Sequence, residues 1–167
     1  AAGTSRAIEA INAFADNPVG ASWTISGTTP LQALEAQAPE YMINGGRVGV
    51  VAQGVLAAGG DVTNFAGANL PISITQFIST SGAYAPINFG ILSHAEAMLA
   101  LDLVGAASDP AAITLLQDNA GADGLWGSFD DTGIALNVLS RISQTVPVTT
   151  LDSLKAAQLP TGDRKST

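Results

Sequence analysis

The side chains able to do chemistry are few and cluster late in the chain. Asp130 and Asp131 stand side by side in the run Ser128, Phe129, Asp130, Asp131, Thr132, just ahead of the apolar residues Ile134, Leu136, Val138, Leu139 and Ile142. Adjacent carboxylates at that point supply oxygen acceptors and negative charge where a helix begins. Asp118, Asn119 and Asp123 add oxygens around the same turn, a donor type that suits calcium, but the spacing departs from the EF-hand loop. His94 is the only histidine and Glu96 follows two residues on. Catalytic zinc takes three protein ligands and the chain has no cysteine, so no metal site is read here and His94 is expected at the surface or half-buried. Five rings, Trp23, Tyr84, Phe89, Trp126 and Phe129, could wall a ligand; equally, they could plug a core, where each ring buries on the order of 150–250 Å². No cofactor is implied, and neither a nucleophile with its base nor a phosphate loop is found.

The elements that must position these groups read as helices. Ile113, Leu116 and Gln117 recur at helical spacing, Gly121 and Gly124 give the freedom a helix stop and turn require, and a second apolar helix follows Asp131. Earlier, Ala7, Ile8, Ile11 and Phe14 form a helical stripe closed by Asp16, Asn17, Pro18 and Gly20, and Trp23 stands to that helix as Trp126 does to its own. Pro30 suits a helix first turn leading into Leu31, Leu34 and Ala38, which Pro39 ends or bends. Val48, Val51, Ala52, Val55 and Leu56 then make an apolar helix stopped by Gly59 and Gly60, although the β-branched Val48 to Val51 would also suit a strand. Gly49 and Gly54 inside it each cost roughly 1 kcal/mol relative to Ala, which points to close helix contact. Leu70, Ile74, Phe77 and Ile78, then Ser93 to Val104, repeat the plan. Ser93, Ala97 and Leu101 overlay Asp131, Ala135 and Leu139 at an offset of about 38 residues, as helical-hairpin repeats do. Leu151 and Leu154 begin a further copy, and LKAAQLPTGD reads as another helix and turn.

Composition bounds the partners. A chain of 167 residues with 47% hydrophobic content can build one domain with a sizeable core. A net charge of −8, with six Lys and Arg residues, argues against nucleic acid or an anionic membrane as partner. Mean hydropathy is high at +0.31, yet Gly or polar residues interrupt every apolar run before it reaches the length of a membrane span. No charged and then apolar leader opens the chain, so any export signal is expected to have been removed or never present.

The sequence of apolar helix, LLQDNAGADGLWG turn and then Asp131-Thr132 before an Ala- and Leu-containing helix resembles the repeat of the prenyltransferase and squalene-terpenoid cyclase superfamily. Residues 46–76, GRVGVVAQGVLAAGGDVTNFAGANLPISITQ, resemble the version found in exported bacterial cell-surface proteins. The resemblance implies an all-α chain of helical-hairpin repeats forming a partial α/α toroid, about three repeats and the start of a fourth, as a single domain over 1–167 and a piece of a longer protein. It also implies an extracellular or cell-surface location. In cyclases of this kind an Asp-x-Asp-Asp motif precedes Thr, and residues 128–132 are similar with the leading Asp replaced; Asp130 would then be the general acid, which must be held neutral and aimed into a dry cavity. Two functions follow: a non-catalytic ligand-binding or interaction module that takes a hydrophobic small molecule or another protein domain, or a fragment of a cyclase-like or prenyltransferase-like enzyme. The shortness of the chain, the missing Asp and the ordinary role of such a pair as helix caps favour the first. A solenoid cut inside a repeat would also leave Val138, Leu139 and Ile142, with Leu151 and Leu154, on an open edge, and the expected consequence is a symmetric homodimer through the terminal hairpin or a tail that folds back to cover the edge.

Overall fold

A computed structural model describes residues 1–88 and 90–158. Among the described residues the regular structure is α-helical: α1 (Ala2–Ala13), α2 (Pro30–Tyr41), α3 (Gly45–Ala57), α4 (Leu70–Gln76), α5 (Leu92–Leu103), α6 (Pro110–Asp118), α7 (Phe129–Arg141) and α8 (Val148–Ala156). A single 3-10 turn spans Ala21–Trp23. Val48 to Val51 are helical, because burial along nearly the whole of α3 outweighs the β preference of branched side chains. Pro39 lies inside α2 without ending it. Phe89 and the turn expected at 159–163 lie outside the described residues.

Packing gives two layers. α1, α3, α5 and α7 lie side by side in that order as a central layer, while α2 packs on α1 and α3, α4 on α3 and α5, and α6 on α5. The residues between the layers are fully buried and apolar, among them Ile8, Leu34, Val51, Leu70, Ile74, Leu101, Leu116 and Leu139. Val138 and Leu139 therefore belong to the core and not to an open edge, and Ile142 is half-buried; Leu151 is exposed as expected of an edge.

All four central helices stop in the same way. Ala15, Gly59, Gly105 and Ser143 take the left-handed conformation, at φ 58°, 69°, 72° and 57°. The next N–H then reaches back five residues, from Asp16 to Ile11 O (3.2 Å), Gly60 to Val55 O (2.8 Å), Ala106 to Leu101 O (2.9 Å) and Gln144 to Leu139 O (2.8 Å). This is the Schellman stop, which satisfies carbonyls that the helix leaves free. It gives the four helices a common register, in which Ile11, Val55, Leu101 and Leu139 are equivalent. The offset of about 38 residues relates the last two; the earlier steps are longer, since the links after α1 and α3 each carry a tight two-residue turn, Ile25 to Thr28 and Phe65 to Ala68.

Close approach within the central layer depends on glycine. A Cβ on Gly49 would lie 2.6 Å from Glu96 O and 2.9 Å from Ala97 Cα, and one on Gly46 would overlap Ser93 O. Gly54 does the same toward Ser5 of α1. The helix contact inferred from Gly49 and Gly54 is thus present on both sides of α3.

Candidate functional site

The acidic pair sits in the first turn of α7 and not ahead of it. Ser128 is the N-cap, its Oγ accepting the Asp131 N–H at 3.0 Å and donating to Asp131 Oδ2 at 2.7 Å. The other oxygen, Oδ1, accepts the Leu92 N–H at 3.0 Å. Leu92 opens α5, whose own N-cap, Ile91, offers no side chain. One carboxylate therefore serves the N-termini of two neighbouring central helices, where exposed N–H groups and the helix dipole favour negative charge. Asp130 is exposed and takes no part in these bonds. Thr132 completes the turn, its Oγ1 donating to Ser128 O at 2.8 Å and accepting the Trp126 N–H at 3.0 Å.

Trp126 is a core plug, 4% exposed, with Nε1 donating to Leu116 O at 2.6 Å. Phe129, the first residue of α7, is half-buried. Trp23 does not repeat Trp126: it is 41% exposed and its Nε1 donates to Asp16 Oδ2 at 2.8 Å. The difference is one of position, since Trp23 follows the central helix α1 and leads into α2, whereas Trp126 follows α6 and leads into the central helix α7. It lines a groove of about 410 Å³ with Gly3, Ala7, Ile25 and Pro30.

His94 is fully buried, against the expectation of a surface or half-buried position. Burial is possible because both ring nitrogens are occupied. Nδ1 accepts the Tyr84 N–H at 3.2 Å, which leaves Nε2 to donate to Ala112 O at 3.0 Å. Burial holds the imidazole below its ordinary pKa of 6.5, with the Ala112 carbonyl opposing in part. The ring stacks on Tyr84, centroids 5.7 Å apart. Tyr84 in turn accepts the Gly45 N–H at its carbonyl and the Asp109 N–H at its hydroxyl, each at 2.9 Å, and burial raises its phenol. Tyr84 and His94 together tie the starts of α3 and α6 to α5.

A second polar cluster crosses three central helices and was not singled out by sequence. Arg6 of α1 pairs with Glu96 of α5, which is nearly buried, and with Glu9 at 2.7 Å. Gln53 of α3 lies between them, its Nε2 donating to Glu96 Oε2 at 2.6 Å. The two carboxylates raise the Arg6 guanidinium although burial opposes them. Ser5 donates to Val50 O and to Glu9 Oε1. Beside the cluster is a cleft of about 350 Å³ lined by Glu9, Asn12, Gln53, Leu56 and Leu103. Nothing in the spacing of five separated polar residues announces the cluster, because only the packing of α1, α3 and α5 brings them together. Among the described residues no three His, Asp or Glu side chains converge as a metal site would require, the Asp118, Asn119 and Asp123 turn included.

A groove of about 450 Å³ opens where the start of α3 meets the link after α4. Ile43, Phe77, Tyr84, Ala85, Pro86 and Ile87 supply an apolar lining, with Ser79 and Ser81 at its rim. Ile43 is 61% and Phe77 40% exposed. Comparison with protein families, curated proteins and solved structures returned no match. The site is therefore described by its own geometry. Of the described candidates, the structure places Tyr84 at this groove, Trp23 at another and Trp126 in the core, so these three rings do not share one aromatic wall. No described helix is long and apolar enough to cross a membrane.

Proposed function

We propose that this chain is a non-catalytic ligand-binding or interaction module of an exported bacterial protein, built of prenyltransferase-like helical repeats arranged as part of an α/α toroid. The observation that carries the binding reading is the Ile43–Phe77 groove. Its volume of about 450 Å³ falls within the range of small-molecule sites, and large apolar side chains are held open to water at its mouth. A hydrophobic small molecule fits such a lining. Two placements support the absence of cyclase-type chemistry: Asp130 is exposed to water and not aimed into a dry cavity, and both Asp131 oxygens are engaged at helix starts. The repeat pattern and the likeness of residues 46–76 to exported cell-surface repeats support the family and the location.

The test is displacement of an apolar fluorescent reporter by an isoprenoid alcohol. Saturable one-site displacement, lost in the double variant Ile43→Asp, Phe77→Asp with its thermal melt retained, is expected. Displacement that the double variant leaves unchanged would remove the groove as the site. Turnover of a prenyl diphosphate or squalene-like substrate, lost on Asp130→Asn, would overturn the non-catalytic reading.

A further inference from the structure

The common register of the four central helices shows which faces of the array are left open. Counting four residues back from the Schellman carbonyl gives Ala7, Val51, Ala97 and Ala135, and one residue back gives Ala10, Gly54, Ala100 and Val138. In α3, α5 and α7 all of these are buried, and where contacts are resolved the face they form is seated on the preceding central helix: Gly54 on Ser5, and Ala97 on Gly49. In α1 the same face, Ala7 and Ala10, is exposed. The adjoining link shows the same contrast, with Ile25 78% exposed and Phe65, its counterpart in the next tight turn, 5%.

The opposite face has a matching vacancy. Six residues before the Schellman carbonyl stand Ser5, Gly49, Ala95 and Gly133. The first three are buried, while a Cβ on Gly133 would meet nothing within 4 Å. Glycine inside an exposed helix costs roughly 1 kcal/mol relative to Ala, which at Gly49 is offset by the close approach of α5 and at Gly133 by nothing among the described residues. Charge is complementary as well. Asp130 is exposed on the α7 edge, and the first turn of α1 has neither an acidic residue nor a side-chain cap.

We infer that these two edges are the halves of one interface and that a second copy of this chain occupies it, the α1 face of one copy seated on the α7 face of the next. The contact repeats the one the chain already makes between its own central helices, with Ala7 against Gly133 as Ala97 lies against Gly49. The exposed Val148 and Leu151 of α8 then cover Trp23 and Ile25. Because the two faces differ, the association is head-to-tail, so it extends to longer assemblies unless it closes as a ring. It holds whatever the Ile43–Phe77 groove binds.

Sedimentation across the micromolar to millimolar range tests it with two variants, Ala7→Arg and Gly133→Arg. Both sites are exposed, and unchanged circular dichroism verifies folding. The wild-type mass is expected to rise with concentration beyond a dimer, each variant alone to remain monomeric, and their equimolar mixture to form a one-to-one dimer, since each retains the face the other lacks. A wild-type chain that stays monomeric into the millimolar range overturns the inference, leaving the edges to a different partner. Continued dimerisation of either variant alone, which marks a symmetric contact, or a monomeric mixture overturns it equally.

Discussion

Asp131 and Asp130 are neighbours with opposite worth. Asp131 bonds at two helix starts, so Asp131→Ala is expected to lower the unfolding free energy by about 1–2 kcal/mol in urea titration, while Asp130→Ala should stay within about 0.5 kcal/mol. Equal effects would show that the link to Leu92 contributes nothing. The pair was legible in sequence as cap chemistry, but Ser128 as the cap and α5 as the second client were not, since one carboxylate reaching another helix is a tertiary fact. His94 makes a pH prediction. Its folded pKa lies below 6.5, so the unfolded chain binds a proton first as pH falls, and stability present above that value is lost below it. Unfolding monitored from about pH 8 to about pH 5 should show this loss, and His94→Gln, less stable throughout, should flatten that part of the profile. The lone histidine read as a surface or half-buried residue because sequence shows only its missing metal partners; the Tyr84 N–H and Ala112 carbonyl that satisfy it are backbone groups, and those leave no mark in residue type.

At the scale of elements the apolar periodicity was sufficient to find the helices of the described residues, because α1 to α7 each bury apolar residues at helical spacing, and the Gly59–Gly60 stop was plain from composition. The first helix's end was legible from Asp16, Asn17, Pro18 and Gly20, but the roles of Ala15 and Ser143 were hidden. Both residues hold the left-handed conformation without being glycine, so the shared Schellman register could not be read until the backbone was known. That register makes a signed prediction. The left-handed region costs an L-residue roughly 1–2 kcal/mol, and glycine loses roughly 0.5–1 kcal/mol more chain entropy on folding, so Ala15→Gly and Ser143→Gly should each raise stability by up to about 1 kcal/mol. Gly59→Ala and Gly105→Ala should lower it. Thermal melts of the four variants check the set, and a loss at Ala15→Gly would mean that Asp16 and Ile11 do not form the bond described.

For the whole molecule, the distribution of burial sets an order of local stability. α3 and α5 lie between neighbours on both sides, and their contact is the most extensive in the fold. α8 has Thr150 as its one buried residue and is held through Thr150 Oγ1 to Gly124 O at 2.7 Å and Ser153 Oγ to Asp123 O at 2.8 Å. Sequence could not rank the copies this way, since the stripe of Leu151 and Leu154 looks as apolar as that of Leu31 and Leu34 until the neighbours are counted. Regions with few buried apolar contacts open with little free energy, while core elements open only with the whole fold. Amide hydrogen exchange should therefore be slowest in α3 and α5, faster in α1 and α7, and fastest in α8 and the 21–28 link. If copies associate head to tail, protection of α1, the 21–28 link and α8 should rise with protein concentration while α3 and α5 stay fixed. Exchange in α8 as slow as in α5 at low concentration would show that the last hairpin is held by contacts the fold does not contain.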